Sequence, residues 1–178
     1  MIKKVLLGVT GSIAAYKSAD LVRLMRRKEW DVSVIMTRSA TEFIGETTLR
    51  TLSRNPVAIE MFAKSDEWIP SHISLADQVK LFVVAPCTAN VIAKLAHGIA
   101  DDLLTCTALS CTAPLVIAPA MNEKMLCHPA TQANIKTLKQ RGVSFIEPGK
   151  GELACGCSGR GRMAEPEDIM KTLAKFIK

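Results

Sequence analysis

Short apolar runs alternate with amphipathic stretches along almost the whole of this chain. The run Val5–Val9 is continuous, as a strand covered on both faces would be, and it passes through Thr10, Gly11 and Ser12 into a helical repeat. There Ala15, Ala19 and Val22 recur at spacings of four and three, and charged residues gathering after Met25 close the helix near Lys28. The alternation continues. Val32–Met36 reads as a second strand, Ala40–Leu52 as a helix, Val57–Glu60 as a weak third strand and Val79–Ala85 as a strong fourth. Thr88–Ala96 and Asp101–Cys111 read as helices, Leu115–Ala118 as a buried strand, and Thr131–Arg141 as a helix closed by Gly142. Val143–Ile146 and Glu167–Ile177 supply a last strand and a last helix.

Strands alternating with helices predict an α/β fold: a Rossmann-like three-layer sandwich around a mostly parallel sheet of order 3-2-1-4-5-6, joined by right-handed crossovers. No internal repeat, low-complexity segment or linker interrupts the pattern, so one domain is expected over residues 1–178. In such sheets ligands bind beyond the carboxyl ends of the strands. That rule singles out Thr10–Ile13, Thr37–Ser39, Pro86–Asn90, Pro119–Asn122 and the segment after Ile146, which are rich in small, hydroxyl and amide residues.

Composition narrows the class. With 48% hydrophobic and 22% charged residues the chain is ordinary globular material, and with aromatics at 4% its core must be aliphatic. The net charge of +6 owes much to Arg23, Arg26, Arg27 and Lys28, which read as a solvated helix end, and to Arg160 and Arg162. No nucleic-acid module is visible, and no apolar run approaches the roughly 20 residues of a membrane span. Six cysteines form no secreted framework, and Met1–Lys4 lead straight into a strand without a signal peptide, so a reducing cytoplasm is expected. The Cys155/Cys157 pair lacks further ligands at metal spacing, and His97 and His128 belong to no such spacing either.

The strand ends favour an anion. The turn after the first strand has Gly8 and Gly11 but not the three-glycine dinucleotide pattern, and Thr37, Arg38 and Ser39 stand where an acidic ribose ligand would be placed. NADP remains open through Arg38. Ser12, Ser39 and Thr88 can be simple helix caps, or, grouped at neighbouring strand ends, a cradle for the phosphate of a mononucleotide such as FMN. Half of the ten glycines fall between Gly149 and Gly161, around Cys155, which describes a loop able to take unusual backbone angles and approach a ligand.

The segments Gly11–Lys17 (GSIAAYK), Ser71–Asp77 (SHISLAD), Ala85–Thr105 (APCTANVIAKLAHGIADDLLT), Ala118–Met125 (APAMNEKM), Pro129–Ile135 (PATQANI) and Ala154–Met163 (ACGCSGRGRM) together resemble the flavin-containing cysteine decarboxylases. Within that family the likeness is greatest to the phosphopantothenoylcysteine decarboxylases of coenzyme A biosynthesis. The resemblance implies FMN as cofactor, held between subunits of a homo-oligomer (a trimer or an assembly of trimers). The implied substrate is a phosphorylated cysteine conjugate, which loses its cysteine carboxylate by way of thioaldehyde and enethiol intermediates. It implies His72 as a catalytic base, Asn122 as the amide that holds the substrate carboxylate, and Cys155 as the acid that protonates the enethiol. Gly11, Ser12, Ile13, Thr37, Ser39, Thr88, Ala89, Asn90, Ala120 and Met121 match the flavin-binding segments. Two other roles stay open: oxidative decarboxylation of a peptide C-terminal cysteine, and a non-catalytic flavin-binding regulatory subunit. The chain departs from the family pattern at Leu126, Gln78 and Lys80, where a Trp, a Trp and an Asp are common.

Overall fold

The structure, a computed structural model, describes residues 3–62, 71–77, 79–152, 156 and 158–177. In chain order the elements are β1 (Lys3–Val9), α1 (Lys17–Arg27), β2 (Trp30–Met36), α2 (Glu46–Ser53), β3 (Val57–Ala58), α3 (Ser71–Asp77), β4 (Leu81–Cys87) and α4 (Ala89–His97). They continue with α5 (Leu103–Ser110), β5 (Leu115–Pro119), α6 (Glu123–Cys127), α7 (Pro129–Gln140), β6 (Ser144–Phe145), β7 (Gly149–Glu152), β8 (Ser158–Arg162) and α8 (Pro166–Leu173). Strands β1 to β6 form a six-stranded sheet in the order β3-β2-β1-β4-β5-β6, and every pairing in it is parallel. The expected fold class and strand order are both present.

The continuous apolar runs have the physical cause assigned to them, because alternate residues of each central strand enter different cores. Val5, Leu7 and Val9 of β1, with Val83 of β4 and Val116 of β5, meet Leu21 and Met25 of α1, Leu49 of α2, and Ile169 and Leu173 of α8. Leu6, Phe82, Val84 and Ile117 point the other way, onto Ile92 of α4, Leu103 and Leu104 of α5, and Leu138 of α7. Gly8 belongs to this second face, where an added Cβ would stand 2.8 Å from Leu104 Cδ1. Omitting that one side chain lets α5 settle close to the sheet.

Local chemistry sets the helix ends. Asp102 and Thr105 form a reciprocal capping box on α5, His128 accepts from the Ala130 N–H at the start of α7, and Pro129 occupies the first turn. Gly98, at φ 69°, ends α4 in the left-handed conformation. The basic cluster at the end of α1 is local structure as expected, with Arg23 on Asp20 and Arg26 donating to the Trp30 carbonyl.

Three elements depart from the sequence expectation. The helix expected over Ala40–Leu52 is a 3₁₀ turn, Arg38–Glu42, followed after Gly45 by α2, since glycine breaks the run and caps the second piece. The short helices α3 and α6 were not expected, being too brief for a hydrophobic period to mark them. The glycine-rich segment is not a plain loop, because β7 and β8 pair antiparallel as a separate two-stranded hairpin. Among the described residues no helix is long and apolar enough to cross a membrane.

Leu6 tests the double-sided core, since it is fully buried at the sheet centre. Leu6→Ala is expected to cost about 2–5 kcal/mol, read as a lower urea midpoint. A loss below about 1 kcal/mol would show that this face is loosely packed.

Candidate functional site

Thr10 joins the two central strand ends. Its fully buried hydroxyl donates to the Pro86 carbonyl (2.9 Å) and accepts from the Thr88 N–H (3.1 Å). Ser18 adds a bond from α1 to the Ala85 carbonyl at 2.9 Å. The turn after β1 is thereby held beside the turn after β4, where the bulged strand ends at Cys87. Ser12 then caps the 3₁₀ turn Ile13–Tyr16, accepting from the Ala14 N–H, and Thr88 caps α4, accepting from the Val91 N–H. The capping reading of both residues is therefore fulfilled, in a position that also gathers helix N-termini at one edge of the sheet.

A cavity of about 880 Å³ opens at this edge. Gly11, Ser12, Ile13, Thr88, Ala89, Ala120, Met121 and Asn122 of the expected site residues line it, together with Lys17 and Phe43. The hairpin closes one side with Glu152, Gly156 and Arg162. Its size and mix of apolar and polar walls suit a cofactor-sized ligand.

Thr37, Ser39 and Asn90 are not part of that wall among the described residues, although two of them adjoin it. A Cβ on Gly11 would stand 2.5 Å from Ser39 Cβ, so the absence of a side chain at Gly11 lets the turns after β1 and β2 touch. Thr37 donates its N–H to the Val9 carbonyl at 3.0 Å, while its buried hydroxyl has no hydrogen-bond partner. A buried hydroxyl is seldom left unpaired, and here it stands at a strand end beside amide-rich turns. The donor set of N–H groups and hydroxyls, with Lys17 and Arg162 nearby, fits a monophosphate better than a ribose diol.

Asn122 is the N-cap of α6, and its Oδ1 accepts from the Lys124 N–H at 2.8 Å. That bond commits the oxygen end of the amide to the helix and fixes Nδ2 as the donor end. His72 lies elsewhere: it is the second residue of α3, half-buried, and its carbonyl accepts from Ser110 of α5 at 3.2 Å. One chain does not bring His72 to the cavity wall on which Asn122 stands. Cys155 and Cys157 lie outside the described residues. Cys87, next to Thr88, is fully enclosed, and burial pushes its thiol pKa far up, so it is a core residue and not a nucleophile.

Other residues find structural places. His97 meets the Asn134 side chain at 3.0 Å. Arg162 is on the cavity wall, whereas Arg160 turns to Glu147 at 3.4 Å. Leu126 packs in the second core and not on the cavity wall, Lys80 is exposed, and Gln78 is outside the described residues. Thr10 and Lys17 lie in segments that the sequence singled out, Thr10–Ile13 and Gly11–Lys17, but neither was among the expected site residues, since a lone hydroxyl or lysine at a strand-end turn does not announce its partner.

A six-stranded parallel sheet of order 3-2-1-4-5-6 with a cavity at its carboxyl edge defines a Rossmann-like α/β protein. The chain belongs to the flavoprotein family, which matches it over residues 1–178. It is 50% identical over 175 residues to the coenzyme A biosynthesis bifunctional protein of Bacillus subtilis, covering 98% of this chain and 43% of that protein. It thus spans less than half the length of that relative. A probable phosphopantothenoylcysteine decarboxylase of Streptococcus mutans is 45% identical, with 99% of this chain and 100% of the relative covered. Among solved structures, a Cys-to-Ser mutant of PPC decarboxylase complexed with pantothenoylaminoethenethiol superposes with a TM-score of 0.88 at 32% identity, covering 99% of this chain and 98% of that one. An FMN-dependent cysteine decarboxylase and an FMN-binding protein share the fold as well.

Thr10→Val keeps the side-chain shape and strands the Pro86 carbonyl and the Thr88 N–H. The expected loss is about 1–3 kcal/mol in chemical denaturation. An unchanged midpoint would show that the two turns hold together without this hydroxyl.

Proposed function

We propose that this chain is an FMN-dependent lyase that removes the cysteine carboxylate of 4′-phosphopantothenoylcysteine to give 4′-phosphopantetheine. The observation that carries the reading is Asn122, an oriented amide donor on the wall of a strand-end cavity, in a chain whose relatives are named for this chemistry. Gly11, Ser12, Ile13, Thr37, Ser39, Thr88, Ala89, Asn90, Ala120 and Met121 would hold the cofactor. The unpartnered Thr37 hydroxyl and the Gly11–Ser39 contact support that assignment. When bound, the flavin supplies the two-electron oxidation of the substrate thiol and the matching reduction after CO₂ has left.

The protein's part is binding and proton traffic. Asn122 Nδ2 donates to the substrate carboxylate and keeps it aligned for departure. His72 takes the thiol proton as oxidation begins, and Cys155 returns a proton to the enethiol carbon, a role that rests on the family resemblance. Arg162, on the wall and more than a third exposed, is placed to meet the substrate phosphate, whereas Arg160 is engaged by Glu147.

His72 and Asn122 are set apart within one chain, so we propose that they meet across a subunit boundary in a homo-oligomer, a trimer or an assembly of trimers. The cavity rim supports this, since Ile13, Tyr16, Phe43 and Met125 line it while remaining 59%, 56%, 45% and 50% exposed. Apolar side chains grouped in that way suit burial against another protein surface. We place the enzyme in the cytoplasm, a reading supported by its coenzyme A relatives and by the free thiols of Cys87, Cys106, Cys111 and Cys127.

The test is anaerobic incubation of the flavin-loaded protein with 4′-phosphopantothenoylcysteine, followed by product mass. Loss of CO₂ alone is expected from the wild type, and loss of CO₂ plus two hydrogens from Cys155→Ser. No conversion by the wild type would defeat the reading, and a wild-type product two hydrogens lighter would favour a decarboxylase that stops at the enethiol, as with a peptide C-terminal cysteine. Assembly has its own check. Co-expressed His72→Asn and Asn122→Ala chains should regain activity that neither has alone, and a mixture as inactive as its parts would confine the site to one chain.

A further inference from the structure

The returning strand of the hairpin, β8, lies directly on the segment that carries Asn122, and the fit depends on two glycines and one carboxylate. The Met121 N–H donates to the Gly161 carbonyl at 3.0 Å, and the Arg160 N–H donates to Glu123 Oε1 at 3.0 Å. A Cβ on Gly159 would stand 2.5 Å from Glu123 Oε2, and one on Gly161, at φ 129°, would overlap the Met121 carbonyl. Glycine at both positions allows the two backbones to touch, and the Glu123 carboxylate fills the space that a side chain at Gly159 would need. The guanidinium of Arg160 is turned to Glu147, so Glu123 grips main chain and not side-chain charge. A carboxylate accepting from a backbone N–H makes a stronger bond than a neutral pair would.

Glu123 is not itself on the cavity wall, but it couples two parts that are. Met121, Asn122 and Met125 stand on one side of the contact, and Gly161, Arg162 and Met163 on the other. We propose that Glu123 is a positioning residue that locks the hairpin to the Asn122 segment, so that the two form one wall of fixed spacing. The consequence for turnover rests on the decarboxylase reading above: Arg162 on the hairpin and the Asn122 amide keep their relative placement through Glu123, and the rate of turnover depends on it.

The test compares wild type, Glu123→Ala and Glu123→Gln as flavin-loaded full chains. The glutamine retains an oxygen that can accept the Arg160 N–H, and the alanine does not. Amide hydrogen exchange at Arg160 should speed up in Glu123→Ala and stay near wild type in Glu123→Gln, with flavin content unchanged in both. On the phosphopantothenoyl substrate, kcat of Glu123→Ala should fall about tenfold, the scale of a small misplacement of reacting groups. Glu123→Gln should recover most of that rate. Wild-type exchange at Arg160 in Glu123→Ala overturns the proposal, as does a wild-type rate in that variant. Glutamine as impaired as alanine in both measurements overturns it too. If the wild type leaves the substrate unconverted while the exchange pattern holds, Glu123 stands as the hairpin's anchor and the assigned reaction falls.

Discussion

The site depends on a single buried hydroxyl. Parallel strands that end side by side do not by themselves bring their following turns together, because each turn heads for a different helix. Thr10 solves this by giving its proton to the end of β4 and taking one from the start of α4. Proline at position 86 has no N–H to offer, so the side chain of the neighbouring strand end supplies a link that main chain cannot. From that link follow the closeness of the capped turns at Ser12 and Thr88 and the concave edge between them.

Around that junction the molecule is built by omission. Gly8 admits α5 to the sheet, Gly11 admits the turn after β2, and Gly159 and Gly161 admit the hairpin to the segment after β5. At Gly11 and Gly161 the missing side chain brings two backbones within contact, whereas Gly8 makes room for the Leu104 side chain and Gly159 for the Glu123 carboxylate. Among the described residues the cations on the cavity wall are Lys17 and Arg162.

Much of the fold was legible because apolar runs and amphipathic helices differ in period. β1, β4 and β5 are buried on both faces and α1, α4 and α7 on one, so their patterns are unmixed. Brief elements escaped: α3 and α6 have too few residues to express a period, and β3 and β6 pair through two residues each. The hairpin was hidden for another reason, since strands of glycine alternating mostly with charged residues carry no β-branched or aromatic signal. For the site, small residues at strand ends located the cavity, but the distribution of Arg160 and Arg162 could not be read, because it depends on the backbone turn at Gly161. The separation of His72 from Asn122 was likewise invisible, as spacing along the chain carries no information about which helix packs on which.

The cations at the cavity are held very differently. Lys17 is almost wholly enclosed and sits 2.7 Å from Glu165, whereas the more exposed Arg162 reaches the same carboxylate only at 3.5 Å. One acidic residue thus serves as counterweight to both, and it holds the first far more firmly than the second. Of the two cations, Arg162 is left with the longer and more exposed pairing, while Lys17 is the one firmly countered. A carboxylate at the start of α8 thus sets the balance of charge in a pocket built mainly from strand ends far earlier in the chain.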